Sequence, residues 1–201
     1  MQPVIFLDRD GTMNEEVNYL YKPEDLRILP GVAEAVRLFN ENGYQVVVVT
    51  NQAGVARGYY TEQDVENLHR YLNDLLKCAG AHIDHFFYCP HHPEHGIGEY
   101  KKKCHCRKPE TGLFERAEEF YQVDKERSFM IGDKLIDVEA GRNYGVRSIL
   151  VGTGYGSGIY EEIKKEEKSG RKEEPYDFYA EDLMGAARYI LEQGQDNRGR
   201  E

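Results

Sequence analysis

A chain of 201 residues, 40% of them hydrophobic, is long enough for one α/β domain with a packed core and too short for two comfortable ones. Its 26 Lys and Arg against 36 Asp and Glu leave a net charge of −10, which disfavours the broad positive field that follows a nucleic-acid backbone. The opening MQPVIFLDRDGT has no basic segment leading into a long apolar stretch, and runs such as Val46–Val49 are too short to span a bilayer, so a cytoplasmic monomer without nucleic-acid or membrane partners is expected.

In chain order, short apolar and β-branched runs bounded by turn residues predict five strands: Val4–Leu7, Gln45–Thr50, His85–Cys89, Ser128–Ile131 and Arg147–Val151. Helical patterns fall between them over Gly31–Asn42, Thr61–Ala79, Thr111–Tyr121 and Asp137–Tyr144, with Thr61 and Asp64 spaced as a capping box. A last helix is predicted over Ala180–Leu191. The strands are apolar throughout rather than alternating, which predicts a Rossmann-like parallel sheet with helices on both faces. Residues 1–192 are expected to form a single domain and 193–201 a disordered tail. Two stretches break the rhythm. Cys89–Lys108 (CPHHPEHGIGEYKKKCHCRK) has no apolar period and needs something other than a core to order it, and Gly154–Pro175 reads as a solvated loop or exposed helix.

In an open α/β sheet, ligands bind beyond the carboxyl ends of the strands. There the first strand ends in Asp8-Arg9-Asp10-Gly11-Thr12, the second in Thr50-Asn51-Gln52, and the fourth in Gly132-Asp133-Lys134 with Asp137 close behind; the segment after the third delivers Arg107-Lys108. Carboxylates and cations converging on one edge suit a divalent metal and an anionic substrate. A calcium loop starting at Asp8 is excluded, because Met13 and Tyr19 stand where it needs Gly and Glu. The run Gly152–Gly158 lacks the G-x-G-x-x-G register of a dinucleotide site.

Cys89, Cys104 and Cys106 with a nearby histidine form two short Cys-x-ligand pairs, a set that favours structural Zn²⁺. His91 is the choice for the fourth ligand; His92, His95 and His105 compete with it on the residues alone. Such a site would stiffen a loop that leads into Arg107-Lys108, whereas Lys101-Lys102-Lys103 is the one feature favouring a nucleic-acid zinc module. Cys78 reads as a buried core thiol.

These motifs resemble the haloacid dehalogenase-like phosphatases over nearly the whole chain: Asp8-Arg9-Asp10-Gly11-Thr12, then Thr50, Lys108, and Gly132-Asp133 with Asp137, in family order. The resemblance implies that Asp8 is the nucleophile, Asp10 the acid and base, and Thr50 and Lys108 the groups that neutralise the phosphoryl oxygens. It implies Mg²⁺ held by Asp8, Asp133 and the Asp10 carbonyl, with Asp137 orienting Lys108 or the metal shell, and it favours His91 within the zinc set. The intervals that carry cap modules in this superfamily are already filled, so a capless fold with a zinc-binding loop is expected. The full motif set is similar to the sugar-bisphosphate branch of the family. That implies a small sugar bisphosphate as substrate, met by Glu16, Val17, Asn18, Tyr19, Asn51, Gln52, Ala53, Arg107 and Lys134. Two alternatives are a histidinol-phosphate phosphatase, disfavoured because its cationic substrate would face Arg107, and an inactive zinc-stabilised binding module.

Overall fold

The computed structural model of the chain describes residues 1–168 and 174–198. Six parallel strands, β1 (Val4–Leu7), β2 (Gln45–Asn51), β3 (His85–Cys89), β4 (Phe129–Gly132), β5 (Arg147–Val151) and β6 (Phe178–Ala180), lie in the order β3-β2-β1-β4-β5-β6. The helices are α1 (Val32–Glu41), α2 (Ala53–Ala56), α3 (Glu62–Cys78), α4 (Gly112–Glu118), α5 (Leu135–Tyr144), α6 (Gly156–Lys168) and α7 (Leu183–Arg198).

Alternate residues of each central strand serve opposite faces. Ile5, Leu7, Val46 and Val48 pack with Val36 and Phe39 of α1, Leu72 of α3 and Ile190 of α7. Val4, Phe6, Val47 and Val49 pack with Leu113 and Phe114 of α4 and Tyr144 of α5. Both faces are therefore covered, which is why the strands read as unbroken apolar runs; each fully buried side chain of this size contributes about 1.5–3 kcal/mol. The predicted capping box starts α3: Thr61 Oγ1 accepts the Asp64 N–H at 3.2 Å, and Asp64 accepts the Thr61 N–H at 2.8 Å.

Several local expectations are corrected. β4 begins at Phe129, because Ser128 turns its hydroxyl inward to accept the Val4 N–H at 2.9 Å. A sixth strand, Phe178–Ala180, occupies the start of the predicted last helix, which begins instead at Leu183 after Asp182 accepts the Gly185 N–H at 2.7 Å. That helix continues to Arg198 through much of the expected tail, whose residues 199–201 lie outside those described. The Gly154–Pro175 stretch contains α6, which buries Ile163 beside Leu150 and Tyr176; residues 169–173 of that stretch lie outside those described. Cys78 is exposed, not in the core. The buried stripe of α3 runs Val65, Leu68, His69, Leu72, Leu76, and a residue two places beyond Leu76 points some 200° away from it. No helix among the described residues is long and apolar enough to cross a membrane.

β1 and β4 are neighbours at the centre of the sheet, while the chain continues from β1 to β2 on one side and from β4 to β5 on the other. This is the switch point at which a crevice opens beyond the strand ends. No inserted domain stands over it among the described residues.

Candidate active site

The chain leaves β1 at Asp8, whose N–H still bonds to Ile131 O of β4 at 3.0 Å, and then turns sharply. Gly11 makes that turn at φ +83°, and a Cβ there would stand 2.2 Å from Asp133 Oδ2, so this position needs glycine for conformation and for space. A Cβ on Gly154, after β5, would stand as close to the same Asp133 oxygen. Asp133 is thus walled in by backbone.

Asp8, Asp133 and Asp137 bring carboxylate oxygens within 4.8 Å of one another, all on buried residues. Lys108, which is 1% exposed, reaches into them: its Nζ donates to Asp8 Oδ1 at 2.8 Å and to Val49 O at 2.7 Å, and lies 2.7 Å from Asp137 Oδ1. Burial works against the Lys108 ammonium, but the charges of Asp137 and Asp8 outweigh it and raise its pKa. Asp137 also accepts the Lys134 N–H at 3.1 Å at the start of α5, so it both orients Lys108 and caps a helix.

Asp133 is different. Its Oδ1 is buried and accepts no hydrogen bond, with the Lys134 ammonium 3.6 Å away. Burial, followed by the charge of Asp8, pushes its carboxyl up to about 7. An unpartnered buried oxygen facing other carboxylates is a donor set suited to a hard divalent cation, so the residues present fit Mg²⁺.

Asp10 stands at the rim. Arg9, fully buried, donates to both its oxygens, from Nε at 3.0 Å and Nη2 at 2.8 Å; Asn14 Nδ2 and Gln52 Nε2 add bonds of 3.0 Å each. Burial alone would raise the Asp10 carboxyl, yet the charge of Arg9 and these hydrogen bonds hold it below the usual range.

Asp8, Asp10, Lys108 and Asp137 line a cleft of about 320 Å³ together with Glu16, Asn18, Tyr19, Thr50, Asn51, Gln52, Ala53, Arg107 and Lys134. Val17 does not line it and is 44% exposed, because the loop reverses at Asn18 and Tyr19, both with positive φ. Asn51 faces the cleft but also clamps the Lys108 backbone, donating to its carbonyl at 3.2 Å and accepting its N–H at 3.1 Å. Glu16 accepts a bond from Lys134 Nζ at 3.0 Å. A wider groove of about 670 Å³ runs beside α3 and β3 to His91 and Cys106, and its carboxylates Glu62 and Glu66 are taken up by the Tyr88 hydroxyl. Arg9, Asn14 and Tyr60, the last of which donates to Gln52 Oε1 at 2.8 Å, are site residues that the sequence reading gave no role; the one signal for them was their place beside the Asp-x-Asp motif and Gln52.

Beyond β3, ligand atoms of Cys89, His91, Cys104 and Cys106 lie within 4.8 Å of one another, with Cys104 Sγ 3.4 Å from Cys89 Sγ and 3.3 Å from Cys106 Sγ. His92 instead accepts the N–H groups of Glu94 and His95, and His105 pairs with Glu115 at 2.8 Å. Hydrogen bonding with Cys89, then with Cys104 and His91, draws the Cys106 thiol down to about 5 against the effect of burial, while the same thiol contact and burial push Cys89 up. Three thiols competing to place one negative charge, next to one imidazole, are a set that fits Zn²⁺. Arg107, joined to Cys106, donates to His91 O at 3.1 Å, so the cluster and the cleft share a backbone.

A parallel sheet that gathers Asp8, Lys108 and Asp133 at its switch point has the architecture of the α/β hydrolases that work at such a crevice. The family model for haloacid dehalogenase-like hydrolases matches residues 3–145, and a second one of the same superfamily matches residues 105–186. The chain belongs to the haloacid dehalogenase-like hydrolases. It is 43% identical over 152 residues to the D-glycero-beta-D-manno-heptose-1,7-bisphosphate 7-phosphatase of Haemophilus ducreyi, covering 75% of this chain and 83% of that protein. It is 40% identical over 193 residues to the D-glycero-D-manno-heptose-1,7-bisphosphate 7-phosphatase of Thermosynechococcus vestitus, covering 94% and 95%. Among solved structures, the D,D-heptose 1,7-bisphosphate phosphatase of B. bronchiseptica, complexed with magnesium and phosphate, superposes with a TM-score of 0.77 at 31% identity, covering 95% of this chain and 99% of that one.

Proposed function

We propose that this chain is a monomeric, cytoplasmic, Mg²⁺-dependent phosphatase that removes the 7-phosphate of a D-glycero-D-manno-heptose 1,7-bisphosphate, a step towards a nucleotide-activated heptose. The observation that carries this is the buried Asp8–Lys108–Asp133 cluster with Asp10 at its rim, in a chain similar over nearly its full length to phosphatases of that substrate. Asp8, Asp133 and the Asp10 carbonyl are the groups that would hold Mg²⁺, which supplies positive charge against the repulsion between carboxylate and phosphate.

Asp8 attacks phosphorus in line; the bond from phosphorus to the sugar oxygen breaks as an aspartyl-phosphate forms, and Asp10 gives that oxygen its proton. In the second step Asp10 takes a proton from water, whose oxygen bonds to phosphorus and releases Asp8 and inorganic phosphate. Arg9 favours the ionised Asp10 of the free enzyme, and the negative charge of an arriving phosphate works the other way, towards the protonated acid. Lys108 and the Thr50 hydroxyl neutralise and orient the non-reacting oxygens. Arg107 and Lys134, both lining the cleft, suit the second phosphate. Cys89, His91, Cys104 and Cys106 would hold Zn²⁺, which supplies a closed structural clamp on the loop ending in Arg107-Lys108.

Phosphate release measured with Mg²⁺ from the heptose bisphosphate anomers and from histidinol phosphate, side by side, tests the assignment; preference for histidinol phosphate overturns it. Arg107→Ala is expected to lower kcat/KM for the bisphosphate by about tenfold or more, the worth of a charge-assisted bond, with a much smaller loss on 4-nitrophenyl phosphate, which has no remote group to hold. Equal losses on both substrates remove Arg107 from sugar recognition.

Cys106→Ser tests the clamp. Cys89 belongs to the core on one face of the sheet and Cys104 and Cys106 pack against its edge, but the larger core on the opposite face contains none of them, so far-UV circular dichroism and a cooperative melt are expected to persist. Turnover should fall by on the order of a hundredfold, the cost of displacing a catalytic charge by about 1 Å. Undiminished turnover in zinc-free protein would separate the cluster from the cleft.

A further inference from the structure

Behind Arg9 stands a group that the proposed mechanism does not use. His69 lies on the buried stripe of α3, otherwise apolar, and is 4% exposed. Its ring stacks on Phe86 at 4.7 Å between centroids and meets Tyr88 edge-on at 5.8 Å, which fixes its plane. Arg9 Nη1 donates to His69 Nε2 at 3.3 Å.

Arg9 has no exposed surface, so each of its N–H groups needs a partner inside the protein. Nε and Nη2 face Asp10, and Nη2 also reaches Leu20 O at 3.3 Å and Gln52 Oε1 at 3.2 Å. Nη1 is the arm left over, and the imidazole takes one of its two N–H groups. A guanidinium cannot act as an acceptor, so Nε2 must carry the lone pair and the ring must be neutral with its proton on Nδ1. Burial, then the positive charge of Arg9, holds the imidazole well below its ordinary pKa, in agreement with a neutral ring.

We propose that His69 is a positioning residue that fixes the plane of the Arg9 guanidinium, and through it the Asp10 carboxyl, for proton transfer to the departing sugar oxygen. The inference rests on Asp10 being the acid and base of the proposed reaction. A planar fork anchored at one end by a stacked ring and at the other by a carboxylate cannot rotate without breaking both. Remove the ring nitrogen, and Nη1 is left buried with an unmet proton; the guanidinium then turns to find another acceptor and carries Asp10 with it. The error is one of geometry in the transition state rather than of substrate affinity.

The test compares kcat/KM on two phosphate esters, since this ratio reports the steps up to cleavage of the ester. Heptose 1,7-bisphosphate loses an alkoxide that needs the proton of Asp10. 4-Nitrophenyl phosphate loses a stable phenolate that scarcely needs it. His69→Leu, which keeps an apolar group on the stripe but no acceptor, is expected to lower kcat/KM for the sugar ester by about tenfold or more, through kcat with little change in KM, and for the aryl ester by about threefold or less, because only the alkoxide depends on general acid catalysis. His69→Gln, whose amide oxygen can accept from Nη1, should restore most of the loss. His69→Phe, which preserves the stacking, replaces His69→Leu if the latter does not fold. Asp10→Asn is run alongside. Ester-selective loss in both Asp10→Asn and His69→Leu, with rescue by Gln, supports the proposal. Selective loss in Asp10→Asn alone, equal losses on both esters in His69→Leu, or no rescue by Gln overturns the role of His69 and leaves Asp10 as the acid. No selective loss in Asp10→Asn overturns both.

Discussion

Asp8→Asn is expected to lower turnover by about 10⁴-fold or more, the scale of loss when the nucleophile of a covalent mechanism is removed. The amide is nearly isosteric and its oxygen can still accept from Lys108 Nζ, so the buried cluster keeps that contact. It cannot form the bond to phosphorus. Folding should not suffer, and without Mg²⁺ the melting temperature at neutral pH is expected to hold or rise: the charge of Asp8 is, after burial, the main influence opposing ionisation of Asp133, and the substitution removes it. Steady-state phosphate release and thermal melts with and without Mg²⁺ check both statements. Turnover above a small fraction of wild type would rule out attack by Asp8.

Lys108→Met is expected to damage both stability and chemistry. The ammonium is the shared partner of Asp8 and Asp137, and both carboxylates are buried. Deleting one side of a buried ion pair costs about 3–5 kcal/mol, because the remaining charges stay desolvated and uncompensated. For a domain of this size that lowers the melting temperature by on the order of 10 °C. The sign with pH follows from Asp137, whose carboxyl burial already raises. A folded-state pKa above the unfolded value favours the folded form at low pH and penalises it as the pH rises through that pKa. The deficit relative to wild type should therefore be largest at neutral and higher pH and shrink on acidification. Mg²⁺ should recover part of it by supplying positive charge to the same carboxylates. A melting temperature unchanged in metal-free buffer at neutral pH would contradict the geometry of the cluster.

Much of this was legible without coordinates, for a physical reason. A parallel sheet buried on both faces demands continuous apolar strands, and each must end abruptly where it meets solvent at its carboxyl edge. That edge is written in the chain as Asp8 after Leu7, Thr50 after Val49 and Asp133 after Gly132, so the side on which the polar cluster gathers could be read from where the runs stop. Periodicity likewise placed α1, α3, α4 and α5, because each has a core stripe of its own.

What only the tertiary structure decided depends on groups distant in sequence. β6 was invisible because an edge strand of three residues buries only Ala180 and leaves no pattern to read. The exposure of Cys78 depends on where the stripe of α3 ends, not on how apolar its neighbours look. His91 could not be told from His92, His95 or His105 by spacing, since the path of a loop without a core decides which ring meets Cys104 and Cys106. Arg9 and His69 stand 60 positions apart, and α3 must pack onto the sheet before one can hold the other. Local pattern sets which elements form and where their polar ends fall; the convergence of single side chains from different elements is a property of the packed core alone.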